Sequence, residues 1–327
     1  MKHFWVYFTF CFVLFSCSET HKNIKVHGAV FGTSYAVIYE GDAIIDFQDQ
    51  LEQLFDEINK SMSTYQSNSL ISQINRNESD VVDEHFIKVF NASEKIHQLT
   101  NGHFDPTIGP LVNAWDFGPE QPISALNGKQ IDSLMQFVGF ESLKLTSNKI
   151  TKTYPQTFVD FNAIAKGYGV DAVAQLLKEN HKTNFLVEIG GEIRSSGINI
   201  EKDKSWKVGV EAPNFDDSQS ILKAIELSNS AMATSGTYRK YKTDKDGNRY
   251  AHIINAKTGY PSKTSILSAS VIMDNCMEAD AYATAFKAMG VNGVSEFCKA
   301  HPEIKVFLIY ETESKGIETL SLNNFPE

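Results

Sequence analysis

The chain has 327 residues, of which 42% are hydrophobic and 21% are charged. These values are ordinary for a soluble globular protein, and the length suffices for one large domain or two closely joined ones. The formal net charge is −10 and no basic cluster stands out, which argues against a nucleic-acid partner. No repeat, low-complexity tract or linker divides residues 26–327, so a single domain is predicted there.

The N-terminus, residues 1–17, has the pattern of a lipoprotein signal peptide. A short basic start precedes a twelve-residue apolar run, Phe4–Phe15, which is too short to span a bilayer comfortably. The run ends in Leu-Phe-Ser-Cys (residues 14–17), which is similar to a lipobox except for its bulky phenylalanine. We expect Cys17 to be lipidated and residues 18–25 to be a tether, which would anchor the protein to a bacterial membrane of the cell envelope, facing the periplasm. A cleaved secretory signal with an incidental cysteine is the alternative.

Two amphipathic helices are predicted in the first part of the domain. Residues 44–62 place apolar side chains on one stripe at three- and four-residue spacing, and Glu84–Leu99 has the same pattern. A strand is predicted at Ala36–Tyr39, after the pair Phe31-Gly32. Both helices are interpreted as parts of the core.

A segment rich in proline and glycine follows the second helix. Residues 102–110 contain two prolines and two glycines, which predicts a rigid loop without regular structure as far as Trp115. His103 lies two residues from Asp105, a pairing that suggests acid–base chemistry, but recognition or core packing is the interpretation we favour. A helix near 129–137 and two short strands are expected next.

The stretch from residue 157 to residue 197 is rich in polar residues at its turns. Thr157–Phe161 and Phe185–Ile189 are predicted as strands with a helix between them, a βαβ-like unit. An aspartate and a lysine six residues apart around a turn can share one anion and its metal; solvated charges are the alternative for any single residue. The glycines match neither the dinucleotide-binding nor the P-loop pattern. Polar residues fall at the element ends, where α/β folds collect ligands: Asp160, Asn162, Lys166, Glu188, Glu192 and Arg194.

The C-terminal part is predicted to contain more strands and a turn. Residues 231–236, which are mostly small, are predicted as a turn, and His252 is predicted to begin a short strand. Cys276 and Cys298 have no metal-type spacing, and the sequence leaves open whether they pair. The predicted strands are 206–213, 223–227, 266–273 and 305–310, the last of these closing the fold.

A helix is predicted to open near Glu278, and it carries two oxygen ligands. Asp280 and Thr284 are four residues apart, so they project from one face, one turn apart. Hard oxygen ligands at this spacing suit Mg²⁺, which also takes waters and phosphate oxygens. An aspartate that complements the helix dipole is the alternative.

Several motifs of the chain resemble, in the same order, those of the ApbE family, the FAD:protein FMN transferases. The resemblance covers nearly the whole mature chain. Two positions depart from the family pattern: Phe31 stands where the family usually has methionine, and Asn255 where it usually has aspartate. The matching segments are MSTY (62–65), GHFDP (102–106), DFNAIAKGYG (160–169), EIGGEIR (188–194) and HIIN (252–255).

The resemblance implies a fold and a reaction. The fold would be α+β, a single domain of mixed sheets and helices with a central cleft for the flavin nucleotide. The reaction would be Mg²⁺-dependent with FAD as substrate: FMN passes to a threonine or serine of an extracytoplasmic acceptor flavoprotein subunit, and AMP is released. A Mg²⁺-dependent FAD pyrophosphatase and a non-catalytic flavin-binding lipoprotein are the alternatives.

The resemblance also implies roles for individual residues. Asp280 and Thr284, with the backbone carbonyl of Ala163, would hold the metal. Asp280 and His252 would be catalytic, with His252 as the base that takes the proton of the acceptor hydroxyl; a metal-bound carboxylate is the alternative base. Contacts to FAD are implied for Phe31, Tyr65, His103, Phe104, Asp105, Asp160, Lys166, His252 and Ile253.

Overall fold

The structure, a computed structural model, describes residues 22–41, 47–123, 126–214, 216, 218–236, 241–243, 249–314 and 316–327. The predicted signal peptide with Cys17, and the first half of the predicted tether, lie outside these residues. Within the described ranges, no helix combines the length and the apolar character needed to cross a membrane.

The described residues form seven α-helices and fourteen strands. The helices are α1 (Gln48–Met62), α2 (Leu70–Asn75), α3 (Glu84–Leu99), α4 (Gly109–Ala114), α5 (Gly128–Met135), α6 (Ala165–Glu179) and α7 (Cys276–Ala300). The strands are β1 (Lys22–Val30), β2 (Thr33–Gly41), β3 (Leu143–Thr146), β4 (Lys149–Lys152), β5 (Phe185–Ile189), β6 (Glu192–Ser196), β7 (Trp206–Glu211), β8 (Ile221–Leu227), β9 (Ala231–Gly236), β10 (Tyr241–Thr243), β11 (Arg249–Ala251), β12 (Ile266–Met273), β13 (Lys305–Glu311) and β14 (Ile317–Leu322).

One eight-stranded sheet organises the fold. Its order is β1-β2-β5-β6-β9-β12-β13-β14, and every neighbouring pair runs antiparallel. The remaining described strands form three two-stranded ribbons, β3–β4, β7–β8 and β10–β11. This is the mixture of sheets and helices that the sequence predicts.

The two faces of the sheet bury different partners. Successive side chains of a strand point to opposite faces, so each of β12 and β13 contributes to two cores. The core that contains α7 includes Ala269, Val271, Val306 and Leu308, whereas the core that contains the β7–β8 ribbon includes Ile272, Phe307 and Ile309. The helices therefore lie on one face, and the ribbon covers part of the other.

The most periodic segments are found where the sequence predicts them. Helix α3 has its predicted bounds, Glu84–Leu99. Strands β5 (Phe185–Ile189) and β12 (Ile266–Met273) also have the bounds predicted for them. The side chain of Asp83 accepts a hydrogen bond of 2.8 Å from the N–H of Phe86, which caps the start of α3. The helix ends where Asn101 and Gly102 take positive φ values of 50° and 73°.

The predicted βαβ-like unit is wrong in its first strand. Thr157–Phe161 is extended but joins no sheet, and its one bridge connects Phe158 to Ile108. The side chain of Asn75 replaces a neighbouring strand, because it bonds both the N–H and the carbonyl of Val159, at 2.7 and 2.9 Å. The unit is therefore a helix, α6, followed by a hairpin, because β5 pairs antiparallel with β6 and not with a strand before α6.

The predicted turn at residues 231–236 is also wrong, because this segment is the central strand β9. It pairs with β6 on one side and β12 on the other. Small residues carry little strand propensity, but they leave room for α7 to lie close to the sheet, and Ala231 and Ala233 are fully buried there.

Several boundaries differ from the prediction. Residues 22–25, predicted as tether, belong to β1 because they pair with residues 38–41 of β2. The segment after Pro106 is not wholly irregular, because Pro110 sits in the first turn of α4, where a missing N–H costs nothing. His252 follows β11 and does not begin a strand, and β14 comes after the strand predicted to be last.

The cysteine question left open by the sequence has an answer in the described residues. Cys276 and Cys298 are both buried and both free. They lie near opposite ends of α7, so their sulfur atoms cannot approach each other.

Candidate active site

The first turns of α6 and α7 are packed against each other, and this contact builds the site. A Cβ added to Gly167 would lie 2.4 Å from the carbonyl oxygen of Cys276, so only glycine fits there. The N–H of Gly167 donates a hydrogen bond of 3.0 Å to Oδ2 of Asp280. The predicted metal ligand Asp280 is therefore held at the N-terminal end of the helix that carries Lys166.

Lys166 lies between two carboxylates. Its Nζ is 2.6 Å from Oε1 of Glu192, the first residue of β6. Burial alone would lower the pKa of Lys166, but the carboxylates of Asp280 and Glu192 raise it above its ordinary value. The ammonium group therefore stays charged, as a group that binds a phosphate must.

The two carboxylates are almost inaccessible. Glu192 is 2% exposed and Asp280 is 5% exposed. Burial raises the pKa of both groups, and the ammonium of Lys166 opposes this rise. A cation brought to this cluster would stabilise the charged carboxylates.

Asp160 and Tyr65 are neighbours, as expected for residues of one site. Oδ1 of Asp160 accepts a hydrogen bond of 2.7 Å from the N–H of Asn162, whose side chain reaches Thr64 at 3.2 Å. Tyr65 follows Thr64 in the loop after α1 and is 66% exposed. Partial burial and the charge of Asp160 raise the pKa of Tyr65, so its hydroxyl remains a hydrogen-bond donor.

Phe31 reaches the same region from the β1–β2 hairpin. It forms a two-residue turn with Gly32, and both residues have positive φ, 49° and 72°. Its ring packs edge-on against Phe55 at 5.6 Å and lies over Gly169 of α6, where a Cβ would be 2.6 Å from the ring. The ring is thus placed one helical turn from Lys166.

Two of the predicted FAD contacts, Phe104 and Asp105, have buried side chains. Phe104 is 3% exposed, and its side chain belongs to the hydrophobic core. Asp105 accepts hydrogen bonds from the N–H and hydroxyl of Thr107, at 2.8 and 2.6 Å, and lies 3.4 Å from His97. Both side chains therefore fix the shape of the loop.

His103, which is predicted to contact FAD, has a ring nitrogen available for a hydrogen bond to a ligand. Its Nδ1 is buried and has no hydrogen-bond partner in the described part of the chain. Burial and the charge of Lys257 lower the pKa of His103, which keeps the ring neutral and able to accept or donate one hydrogen bond. The loop of His103 is tied to the segment of Lys257, because Trp115 donates a hydrogen bond of 2.8 Å to the carbonyl of Gly259.

His252 and Ile253 belong to this same segment. The ring of His252 is half-buried, and its centroid lies 6.3 Å from that of Phe117. Ile253 is 6% exposed, and its carbonyl accepts a hydrogen bond of 2.8 Å from Ser262, so its side chain serves packing. Thr264 bonds the carbonyl of Lys287 on α7 at 2.6 Å, which attaches the segment to the helix of Asp280.

The residues predicted to hold Mg²⁺ fit that ion by their chemistry. Asp280 and Thr284 lie on one face of α7, and Ala163 lies in the turn that leads into α6, four residues before the Gly167 N–H that contacts Asp280. This set has one carboxylate, one hydroxyl and one carbonyl, and Mg²⁺ typically completes such a set with water and phosphate oxygens. Among the described residues, no group of three or more His, Cys, Asp or Glu is suited to a metal.

One residue that fixes the site was not predicted. Asp171 of α6 accepts hydrogen bonds from the N–H groups of Cys276 and Met277, both at 2.9 Å, and pairs with Arg194. It thereby satisfies the first N–H groups of α7 from outside that helix. Asp171 is four residues after Gly167, so both lie on one face of α6, and this spacing is the signal in the sequence for its position beside α7.

We expect Asp171→Ala to lower the free energy of unfolding by about 2–3 kcal/mol, because two buried N–H groups and Arg194 would lose their partner. Urea unfolding measures this change. Glu179→Ala is the matched control, since it removes an exposed carboxylate from the same helix. Equal unfolding midpoints for the two variants would show that Asp171 does not hold α7.

Comparisons with known proteins identify the family of the chain. A model of the ApbE family matches residues 31–308. The chain is 35% identical to the FAD:protein FMN transferase of Haemophilus influenzae, over 95% of this chain and 93% of that protein. It is 34% identical to the FAD:protein FMN transferase of Vibrio cholerae, over 99% of this chain and 98% of that protein.

Solved structures confirm the predicted α+β fold. The fold is similar to that of the flavin transferase ApbE from Vibrio cholerae, with a TM-score of 0.85 and 33% identity over 93% of this chain and 98% of that one. It is also similar to the apo form of the Pseudomonas stutzeri flavinyl transferase ApbE, with a TM-score of 0.82 and 28% identity over 92% and 95% of the two chains. Sequence and fold together show that the chain belongs to the ApbE family.

Proposed function

We propose that this protein is an FAD:protein FMN transferase. The observation that carries the proposal is the cluster of Lys166, Glu192 and Asp280 at the first turns of α6 and α7. A charged ammonium beside a buried carboxylate is suited to a pyrophosphate and a divalent cation, and relatives named FAD:protein FMN transferase align over nearly the whole chain.

The residues around this cluster would bind the two ends of FAD. Lys166 would bind a phosphate, and Asp160, with Tyr65 beside it, would position the nucleotide. The ring of Phe31 would provide an apolar contact to the flavin from the β1–β2 turn. His103, whose Nδ1 has no partner among the described residues, would contribute a hydrogen bond from the loop after α3.

Asp280, Thr284 and the carbonyl of Ala163 would hold Mg²⁺. When bound, the ion neutralises pyrophosphate oxygens and the charge that develops on the departing AMP. Asp280 is held for this role by the N–H of Gly167, and its burial makes an unpaired negative charge costly.

The transfer exchanges one phosphorus–oxygen bond for another. The hydroxyl oxygen of the acceptor attacks the phosphorus of the FMN half, and the bond between that phosphorus and the bridging oxygen breaks. The bridging oxygen leaves with AMP, and the proton of the hydroxyl passes to a base. We assign this base to His252, which lies on the segment attached to α7.

The acceptor is proposed to be a different protein outside the cytoplasm. This chain has no obvious segment that resembles the threonine-containing sites the family modifies. An extracytoplasmic redox subunit is the natural acceptor, because loosely bound flavin would diffuse away there. Covalent FMN on a threonine or serine of that subunit is the expected product.

Product analysis tests the proposal. Purified protein is incubated with FAD and Mg²⁺, with and without an extracytoplasmic flavoprotein subunit as acceptor. With the acceptor present, AMP should be released and flavin should become covalently attached to the acceptor. Without the acceptor, no covalent flavin should form. Free FMN and AMP as sole products would indicate a pyrophosphatase instead, and no AMP at all would indicate a flavin-binding protein.

We also propose that the protein is a lipoprotein anchored through Cys17, on the basis of the apolar run that ends in this residue. Cys17→Ala should move the protein from the membrane fraction to the soluble fraction and leave AMP release unchanged, since every residue proposed to act on FAD comes after residue 30 of the sequence. Cys11→Ala is the matched control, because it changes a cysteine inside the same run. A mature N-terminus found elsewhere by mass spectrometry, without lipid, would contradict the proposal.

A further inference from the structure

We infer that Glu192 is a positioning residue that holds the ammonium of Lys166 where a bound phosphate requires it. The inference rests on the proposed function, since Lys166 is the residue proposed to bind the phosphate. Glu192 belongs to neither the predicted FAD contacts nor the predicted metal ligands.

The position of Glu192 is fixed by the β5–β6 turn. Gly190 and Gly191 have positive φ, 61° and 101°, and form a two-residue turn that pairs Ile189 with Glu192. The N–H of Gly190 donates a hydrogen bond of 3.0 Å to the carbonyl of Ser34 on β2, which attaches the turn to the sheet. A side chain that begins on such a rigid turn and is 2% exposed has little freedom to move.

The side chain of Lys166 must be held in one conformation for its ammonium group to meet a phosphate. A lysine side chain is long and flexible, so it loses conformational entropy when it is fixed in one rotamer. The ion pair of 2.6 Å with Glu192 fixes it before any ligand binds. The ammonium is then already aimed when the phosphate arrives, and this lowers the cost of reaching the reactive arrangement.

The carboxylate of Glu192 accepts fewer hydrogen bonds than a carboxylate that serves only stability would. Its Oε2 is buried and has no hydrogen-bond partner among the described residues, so keeping it charged costs free energy. Both oxygens of the Asp171 carboxylate have partners, in contrast: the carboxylate accepts hydrogen bonds from two N–H groups and forms an ion pair with Arg194. A residue placed only for stability would be satisfied in the same way, whereas Lys166 is the one side chain that pairs with Glu192 in the described ranges.

The first test is Glu192→Gln, which keeps the shape of the side chain but removes its charge. We expect kcat for AMP release to fall by about 10²-fold, the cost of a misplaced group in an active site. FAD affinity, measured by flavin fluorescence without Mg²⁺, should stay within about threefold, because the lysine remains charged and the site keeps its shape. Glu192→Asp, which retains a carboxylate at greater distance, should recover part of kcat.

Glu188→Gln is the matched control. Glu188 lies on the other strand of the same hairpin, and its Oε1 accepts a hydrogen bond of 2.6 Å from the N–H of Gly191. A glutamine carbonyl can accept the same bond, and the change of charge is the same. This variant should retain wild-type kcat.

A double-mutant cycle with Lys166→Met tests whether Glu192 acts through the lysine. If it does, Glu192→Gln should slow wild type but should not slow Lys166→Met any further. Two results would overturn the inference, provided that wild type releases AMP. One is that the losses of kcat in Glu192→Gln and Lys166→Met add in the double variant, and the other is an unchanged kcat in Glu192→Gln. A wild-type protein that releases no AMP would contradict the proposed function instead, so the two failures are distinguishable.

Discussion

Asp280→Ala should abolish Mg²⁺-dependent turnover of FAD, with a loss on the order of 10³-fold or more. Asp280 is the one carboxylate in the proposed metal set, and removing it takes away both the charge and the hard oxygen that a small divalent cation needs. The fold should remain largely intact, because the substitution also removes a carboxylate whose burial is costly. AMP release titrated against Mg²⁺ measures the loss, and circular dichroism checks the fold.

Asp280→Asn separates the two contacts of this residue. An asparagine can still accept the hydrogen bond from the N–H of Gly167 but binds Mg²⁺ far less well. We therefore expect it to be as stable as wild type and nearly as inactive as the alanine variant. Activity of either variant within tenfold of wild type at saturating Mg²⁺ would remove Asp280 from the metal site.

His252→Ala should slow transfer of FMN to the acceptor by about 10²–10⁴-fold, the usual contribution of a general base. FAD binding should persist, because a base acts on the acceptor hydroxyl and not on the bound nucleotide. The rate of appearance of covalent flavin on the acceptor measures the first quantity, and flavin fluorescence measures the second.

His27→Ala is the control for this variant, since it removes an exposed histidine from the edge strand β1. It should transfer FMN at the wild-type rate. If His252→Ala transferred equally fast, His252 would not be the base, and a carboxylate would have to take that role while the transferase assignment stood.

Local sequence predicts the elements with a strong apolar signal. Helix α3 has the predicted bounds because its apolar residues recur at helical spacing, and β12 has them because it is a strongly apolar run. The sequence predicts a turn at strand β9 because alanine, serine and glycine favour no strand by themselves. Its place in the sheet comes from α7, which needs small residues beneath it, and this contact is not local in sequence.

The site was predicted in part for the same reason. Motif resemblance identified Lys166 and Asp280, and the structure brings both to the junction of α6 and α7. Resemblance does not indicate which side chains are exposed to a ligand and which are buried in the loop, as the side chain of Phe104 is. The roles of Asp171 and Glu192 depend on contacts with residues far along the chain or across a turn, which no local spacing reveals in full.

Mass spectrometry of an acceptor protein tests the proposed transfer most directly. An extracytoplasmic flavoprotein subunit is incubated with this protein, FAD and Mg²⁺, and then denatured and digested. We predict that one threonine or serine of the acceptor gains the mass of FMN less one water, that the fluorescent bond survives denaturing electrophoresis, and that one AMP appears for each FMN attached. Release of AMP and free FMN without any modified acceptor residue would contradict the transferase assignment.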